Sequence, residues 1–184
     1  MNFSSPTNTK RLFVGVPIPA SLADPLYAFR QKHRDAEGIR WVQRENLHLT
    51  ICFIGNTEAN RLDDIISNTK QALRDTDPFT LAFARLCFAP ANKPYMMWAQ
   101  FEQNEYFREL VINTCRILIP GQLVRKDPVP HITLARFNKP SYSGNIDLNI
   151  QLEDGEIEVK EFVLWESIQK PKGVTYKRIE KFSI

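Results

Sequence analysis

Apolar and polar positions along the chain change period several times, and the changes mark out elements. Residues 11–17 read as a strand closed by Pro17 and Pro19. Ser21 then predicts a helix cap, with Leu22, Leu26 and Phe29 on one face and Gly38 beyond its end. His33 extends that stripe, but no second His or acid stands at a helpful spacing, so it reads as structural. An extended segment over 41–55 follows. Thr57 and Asn60 are candidate caps for a second helix that turns Leu62, Ile65, Ile66, Thr69 and Leu73 inward and ends at Asp77-Pro78. Two strands, 79–88 and 96–101, flank a turn at 90–94.

The second half repeats this order. A helix from about Asn104 buries Phe107, Leu110, Val111 and Thr114 and stops at Pro120-Gly121. Pro128 and Pro130 straighten the approach to a strand over 130–136, because a residue before proline avoids the helical region. The tail reads as strands at 146–152, 156–168 and 174–183, with a hairpin signal at Asp154-Gly155 and a turn over 171–173. Strand, helix and strand occurring twice predict a duplicated α+β fold in one compact unit over 1–184, with lobes near 11–101 and 102–184 and a frayed start at 1–9.

Within that repeat lies a second one. Asn46-Leu47-His48-Leu49-Thr50-Ile51 is echoed by Val129-Pro130-His131-Ile132-Thr133-Leu134, each reading His, apolar, Thr, apolar. Side chains alternate faces on a strand, so His48 with Thr50, and His131 with Thr133, should share one side while their apolar neighbours enter the core. Two imidazoles with ordinary pKa values near 6.5 can serve as one acid and one base, which suits displacement at phosphorus. The threonine hydroxyls could then donate to non-bridging phosphate oxygens. Arg136, five places after His131, would lie on the opposite face unless the strand ends or bulges after Ala135. Phe53 holds the matching place after His48, as a base-stacking platform or as simple core. Arg40, Trp41 and Arg44 precede the first motif, and Arg125 and Lys126 the second; Trp41 reads as packing, and Trp98 and Trp165 as core.

The chain has 184 residues, 43% of them apolar, and a net charge of +3, which permits a polyanionic ligand without demanding one. Cys52, Cys87 and Cys115 are scattered and odd in number, as expected of reduced thiols in the cytoplasm rather than a zinc cluster. Neither motif has supporting acids or a third histidine nearby, so no metal site is expected. No run approaches membrane-spanning length, so no membrane partner is expected; a monomer is the default.

On these residues the chain resembles the 2H phosphoesterase superfamily, named for its two His-x-Thr/Ser motifs, and within it the RNA 2′,3′-cyclic phosphodiesterase (2′-5′ RNA ligase) branch. The likeness covers nearly the whole chain: Arg11-Leu12-Phe13-Val14 with Pro17 and Pro19, Trp41-Val42 and Glu45 through Thr50, Phe53-Ile54-Gly55, Pro130 through Arg136, and Ser167 with Tyr176. Cys52 departs from it, standing where a bulkier or basic residue is expected. The resemblance implies a bilobal, pseudo-two-fold α+β fold, with two largely antiparallel sheets lining a central groove and helices outside. It also implies opening of a 2′,3′-cyclic phosphate on an RNA end or nucleotide to a 2′-phosphate, without metal or other cofactor. On that footing His48 would protonate the departing 3′-oxygen and His131 would activate water. Thr50, Thr133 and Arg136 would hold the phosphate, Phe53 would contact the base, and reversible 2′-5′ ligation is a possible side activity. A binder that keeps the groove without turnover is the alternative.

Overall fold

The structure, a computed structural model, describes residues 8–138, 146–152, 155–171 and 173–184. Among the described residues three helices and nine strands are formed: β1 Thr9–Pro17, α1 Ala20–Lys32, β2 Ile39–Trp41, β3 His48–Glu58, α2 Leu62–Leu73, β4 Phe79–Ala89, β5 Met96–Phe101, α3 Glu105–Leu118, β6 His131–Phe137, β7 Glu156–Val159, β8 Glu161–Lys170 and β9 Gly173–Ser183. Alternation in the strands gives the sheet two unlike faces. Leu12, Val14, Leu49, Ile51, Ile132 and Leu134 meet Leu22, Leu26 and Phe29 of α1, Ile65 and Leu73 of α2, and Phe107 and Leu110 of α3 in one continuous core. Burying each such side chain stabilises the fold by about 1.5–3 kcal/mol relative to exposure. The other face carries the motif histidines.

The strands run in the order β7-β4-β5-β6-β3-β1-β8-β9, with β2 added beside β6, and every pairing is antiparallel. Two sheets were expected; the strands form one continuous sheet because β3 and β6, the two motif strands, pair with each other. That join is narrow. Leu49 opposite Ile132 is the whole of the ladder between them, whereas β1 and β3 stay paired from Thr9–Glu58 to Pro17–His48. Strands β8 and β9, late in the chain, lie beyond β1, while β4 and β5 lie beyond β6.

Several expected boundaries move. Helix α1 begins one residue before Ser21, with Pro19 at the cap position and its carbonyl accepting from Leu22 and Ala23. Thr57 is a buried strand residue rather than a cap, and Ala59–Arg61 form a 3-10 turn that leads into α2. Asn104 does cap α3, its side chain accepting from the Phe107 amide at 3.0 Å. The strand expected over 156–168 breaks at Lys160 into β7 and β8. Residues 146–152 form no strand: Asp147 instead accepts from the backbone and side chain of Asn149, a local arrangement that competes with a ladder. The frayed start, most of it, lies outside the described residues, as do Asp154 of the hairpin signal and Lys172 of the last turn.

Candidate active site

Antiparallel register about the Leu49–Ile132 pair sets His48 across from Thr133 and Thr50 across from His131. Leu49 and Ile132 are fully buried, so the four motif side chains stand together on the opposite, open face. The two histidines are diagonal neighbours, a relation that puts Cβ atoms about 7–8 Å apart in a sheet. Among the described residues no hydrogen bond engages the Thr50 or Thr133 hydroxyl, so both are free to donate.

Both imidazoles are held in the same way. His48 Nδ1 donates to the Asn46 carbonyl at 2.7 Å, and His131 Nδ1 donates to the Val129 carbonyl at 2.8 Å. A carbonyl only accepts, so each Nδ1 carries the proton and each Nε2 is left free. The anchors differ in what secures them. Asn46 is buried, and its amide donates to the Val174 carbonyl of β9 at 2.7 Å, tying the first motif to the closing hairpin.

The rings sit against aromatic carbon. Phe13, Trp165 and Tyr176 surround His48 with centroid distances of 4.7, 5.7 and 5.1 Å. Burial against these walls drives the His48 pKa down to about 4; its hydrogen bond to Asn46 opposes the shift, and His131 and Arg136 reinforce it. His131 lies flat on Trp98, with centroids 3.8 Å apart and planes inclined by 22°. Its pKa is also lowered, first by burial, with Arg125 and Arg136 adding to the effect. Both histidines are therefore neutral in the free protein at pH 7. Gly15 makes the cage possible: a Cβ there would meet the Leu49 carbonyl oxygen at 2.6 Å and the Trp165 ring at 3.1 Å.

A matched pair of bulges decides the remaining residues. Between Met97 and Trp98 of β5, strand β6 carries one extra residue, Leu134, so Leu134 and Ala135 are both buried and Arg136 returns to the histidine face. The bulge comes one residue before its expected place and has the required effect. Strand β3 does the same against β1: Ile51 is extra, Ile51 and Cys52 are both buried, and Phe53 emerges exposed on the side of His48. Cys52 thereby faces away from the groove, where the Cys115 thiol of α3 reaches the neighbouring Ile51 carbonyl at 3.7 Å. Phe53 is 46% exposed, so it is not core.

Charge collects on the same face. Register places Arg11, Arg40, Arg85, Arg136 and Arg178 there with the histidines, and none of them pairs with a described carboxylate. Arg44, by contrast, donates to Asp24 of α1 at 2.7 Å and is neutralised. No group of three or more His, Cys, Asp or Glu among the described residues is placed to hold a metal ion. A cavity of about 540 Å³ between α2 and α3, lined by Gln71, Asp75, Tyr106 and Arg116, includes none of the motif residues.

Comparison with known proteins gives the arrangement its context. The LigT-like phosphoesterase family model matches residues 16–96. An RNA 2′,3′-cyclic phosphodiesterase of Bacillus subtilis is 27% identical over 177 residues, covering 94% of this chain and 95% of that protein. Its Thermus thermophilus counterpart is 29% identical, covering 95% and 90%. Over nearly its whole length the chain is thus similar to LigT-like phosphoesterases. A solved structure from Thermus thermophilus superposes with a TM-score of 0.77 at 29% identity, covering 94% of this chain and 97% of that chain. Escherichia coli LigT in complex with 3′-AMP shares the fold, with a TM-score of 0.78 at 22% identity over 96% and 98% of the two chains.

The sequence alone assigned no role to a second ring of residues about the histidines. Trp98 and Trp165 were expected as core: Trp165 is buried in a small second cluster with Phe13 and Val163, Trp98 is half-buried, and both pack against the motif histidines on the face away from the main core. Phe13 and Tyr176 complete the cage, and Asn46 anchors it. The available signal was the alternation of β1, which puts Phe13 on the side of Arg11 and Gly15, opposite Leu12 and Val14. Trp41 packs edge-on to Phe29 at 6.2 Å, in line with its reading as a packing residue despite its basic neighbours. No helix among the described residues is long and apolar enough to cross a membrane.

Proposed function

We propose that this chain hydrolyses the 2′,3′-cyclic phosphate of an RNA end or nucleotide to a 2′-phosphate, with His131 as base and His48 as acid. The observation that carries the proposal is the pair of Nδ1 anchors, which leave two free Nε2 atoms on one face of one sheet, diagonal to each other. Neutral His131 takes a proton from water through Nε2 as the water oxygen bonds to phosphorus. The bond from phosphorus to the 3′-oxygen breaks, and His48 gives that oxygen its proton, leaving the phosphate on the 2′-oxygen. Thr50, Thr133 and Arg136 hold the non-bridging oxygens, where charge grows in the transition state.

His48 is neutral before substrate arrives, so the acid must be charged on binding. An anionic phosphate beside it favours the imidazolium, and the faces of Phe13, Trp165 and Tyr176 stabilise that cation once formed. The curated relatives named above support the choice of substrate, and the nucleotide complex of Escherichia coli LigT fits a groove of this kind. Phe53 offers a surface on which the terminal base can stack.

The test is hydrolysis of a short RNA ending in a 2′,3′-cyclic phosphate, in EDTA, with the product identified as the 2′- or the 3′-phosphate. A 2′-phosphate formed at an undiminished rate is expected; a 3′-phosphate, or activity lost on chelation, would overturn the mechanism. Replacing the 3′-bridging oxygen by sulfur separates the two roles. A thiolate leaves without protonation, so His48→Ala should be rescued on that substrate and His131→Ala should not. Tight nucleotide binding with no product on any cyclic phosphate would instead identify a binding module.

A further inference from the structure

Arg11 stands out among the open-face arginines because the fold prepares it and the reaction proposed above gives it nothing to do. It lies two residues before Phe13 on β1, a strand in regular register with β8, and so shares the face of the His48 cage. Its neighbour Lys10, on the other face, is neutralised by Glu166 at 3.0 Å. No described carboxylate pairs with Arg11. Its guanidinium instead lies 4.8 Å from the centroid of the Phe53 ring. A guanidinium resting on a ring keeps its N–H donors in its own plane, free to meet a ligand at the rim of the aromatic surface.

We propose that Arg11 binds a second phosphate, the one on the 5′ side of the terminal nucleotide, so that the site takes RNA ends ahead of nucleosides bearing a cyclic phosphate alone. This rests on the phosphodiesterase reading and narrows its substrate class. Arg136 is placed for the reacting phosphate and Arg11 for its neighbour, with the base on Phe53 between them. Both guanidiniums lie on the face that carries Tyr176, whose phenol pKa is raised by burial while Arg136 and Arg11 oppose that rise. Two unpaired guanidiniums about one phenol repel each other in the free protein, and a ligand with two phosphates relieves both. A single bound phosphate relieves one.

Two substrates with the same terminal base test this: a nucleoside 2′,3′-cyclic phosphate and a dinucleotide ending in that group. In the unmodified protein kcat/KM should favour the dinucleotide by about tenfold or more, the value of one charge-assisted hydrogen bond. Arg11→Gln should lower kcat/KM on the dinucleotide about tenfold more than on the mononucleoside, and Arg11→Lys, which keeps the charge, should retain most of the preference. Equal losses on both substrates, equal effects of Lys and Gln, or losses that follow base identity would overturn the assignment. A binding measurement stands apart from turnover: adenosine 2′,5′-bisphosphate should bind more tightly than adenosine 2′-monophosphate, and Arg11→Gln should erase the difference. Absence of turnover would sink the phosphodiesterase reading alone, whereas equal binding of the two nucleotides by the unmodified protein would sink the role of Arg11.

Discussion

His48 couples chemistry to stability because its ring is enclosed by Phe13, Trp165 and Tyr176. Its pKa is about 4 in the folded chain against 6.5 for a free imidazole. As pH falls below the unfolded value, the unfolded state takes up a proton that the folded state refuses. Stability is therefore full above about pH 7 and is lost progressively down to about pH 4, by on the order of 3 kcal/mol. Urea titrations at pH 7.5 and 4.5 should show this loss, and His48→Gln should show less of it. In activity, His48→Ala or His131→Ala should each slow turnover by about 10² to 10⁴ fold, the usual share of a placed acid or base. The motif residues were legible because His-x-Thr in a strand fixes a shared face by alternation alone. Asn46, Trp98 and Tyr176 were not, because what each does depends on which strand lies beside it, and sequence separation hides that.

At the scale of elements, the bulges at Ile51 and Leu134 show how a local irregularity serves the site. Regular alternation would have hidden both Phe53 and Arg136; one extra residue in each motif strand returns both to the histidines. The need for such a kink was readable from the position of Arg136, but its place was set by the pairing with β5. The expectation of a strand at 146–152 failed for the converse reason. Its alternating apolar residues do pack, Ile146 fully and Leu148, Ile150 and Leu152 in part, but alternation reports a sided surface and not a ladder partner. Gly15 offers an element-scale test. Adding a methyl group at this position forces β1 from the Leu49 carbonyl and disturbs Trp165, so Gly15→Ala should destabilise the protein by about 1–3 kcal/mol and lower kcat as the cage loosens. Asn104→Ala should cost about 1 kcal/mol through loss of the α3 cap while leaving kcat unchanged, both read from denaturation and steady-state rates.

Over the whole molecule, a net charge of +3 understates how cationic the open face is. Arg11, Arg40, Arg85, Arg136 and Arg178 gather there without described carboxylate partners, while Lys10, Arg44 and Arg108 are neutralised elsewhere. Affinity for a longer RNA should consequently fall steeply with salt, with a slope of about −0.7 per phosphate contacted, and more steeply than affinity for a mononucleotide. Titrations at several salt concentrations, compared as logarithms, give the two slopes; equal slopes would show that the extra arginines meet no phosphate. The α+β class was readable because helical and alternating periods separate cleanly along the chain, whereas the expected second copy has one helix where the first has two, and the partnering of early with late strands was not readable.

The lone Leu49–Ile132 pair is the only ladder contact between the motif strands among the described residues. The imidazoles flank that pair on either side, so their separation is set by a single register and by the Asn46 and Val129 carbonyls that orient the rings. A cross-strand change confined to Leu49 or Ile132 therefore reaches both ends of the proton path at once.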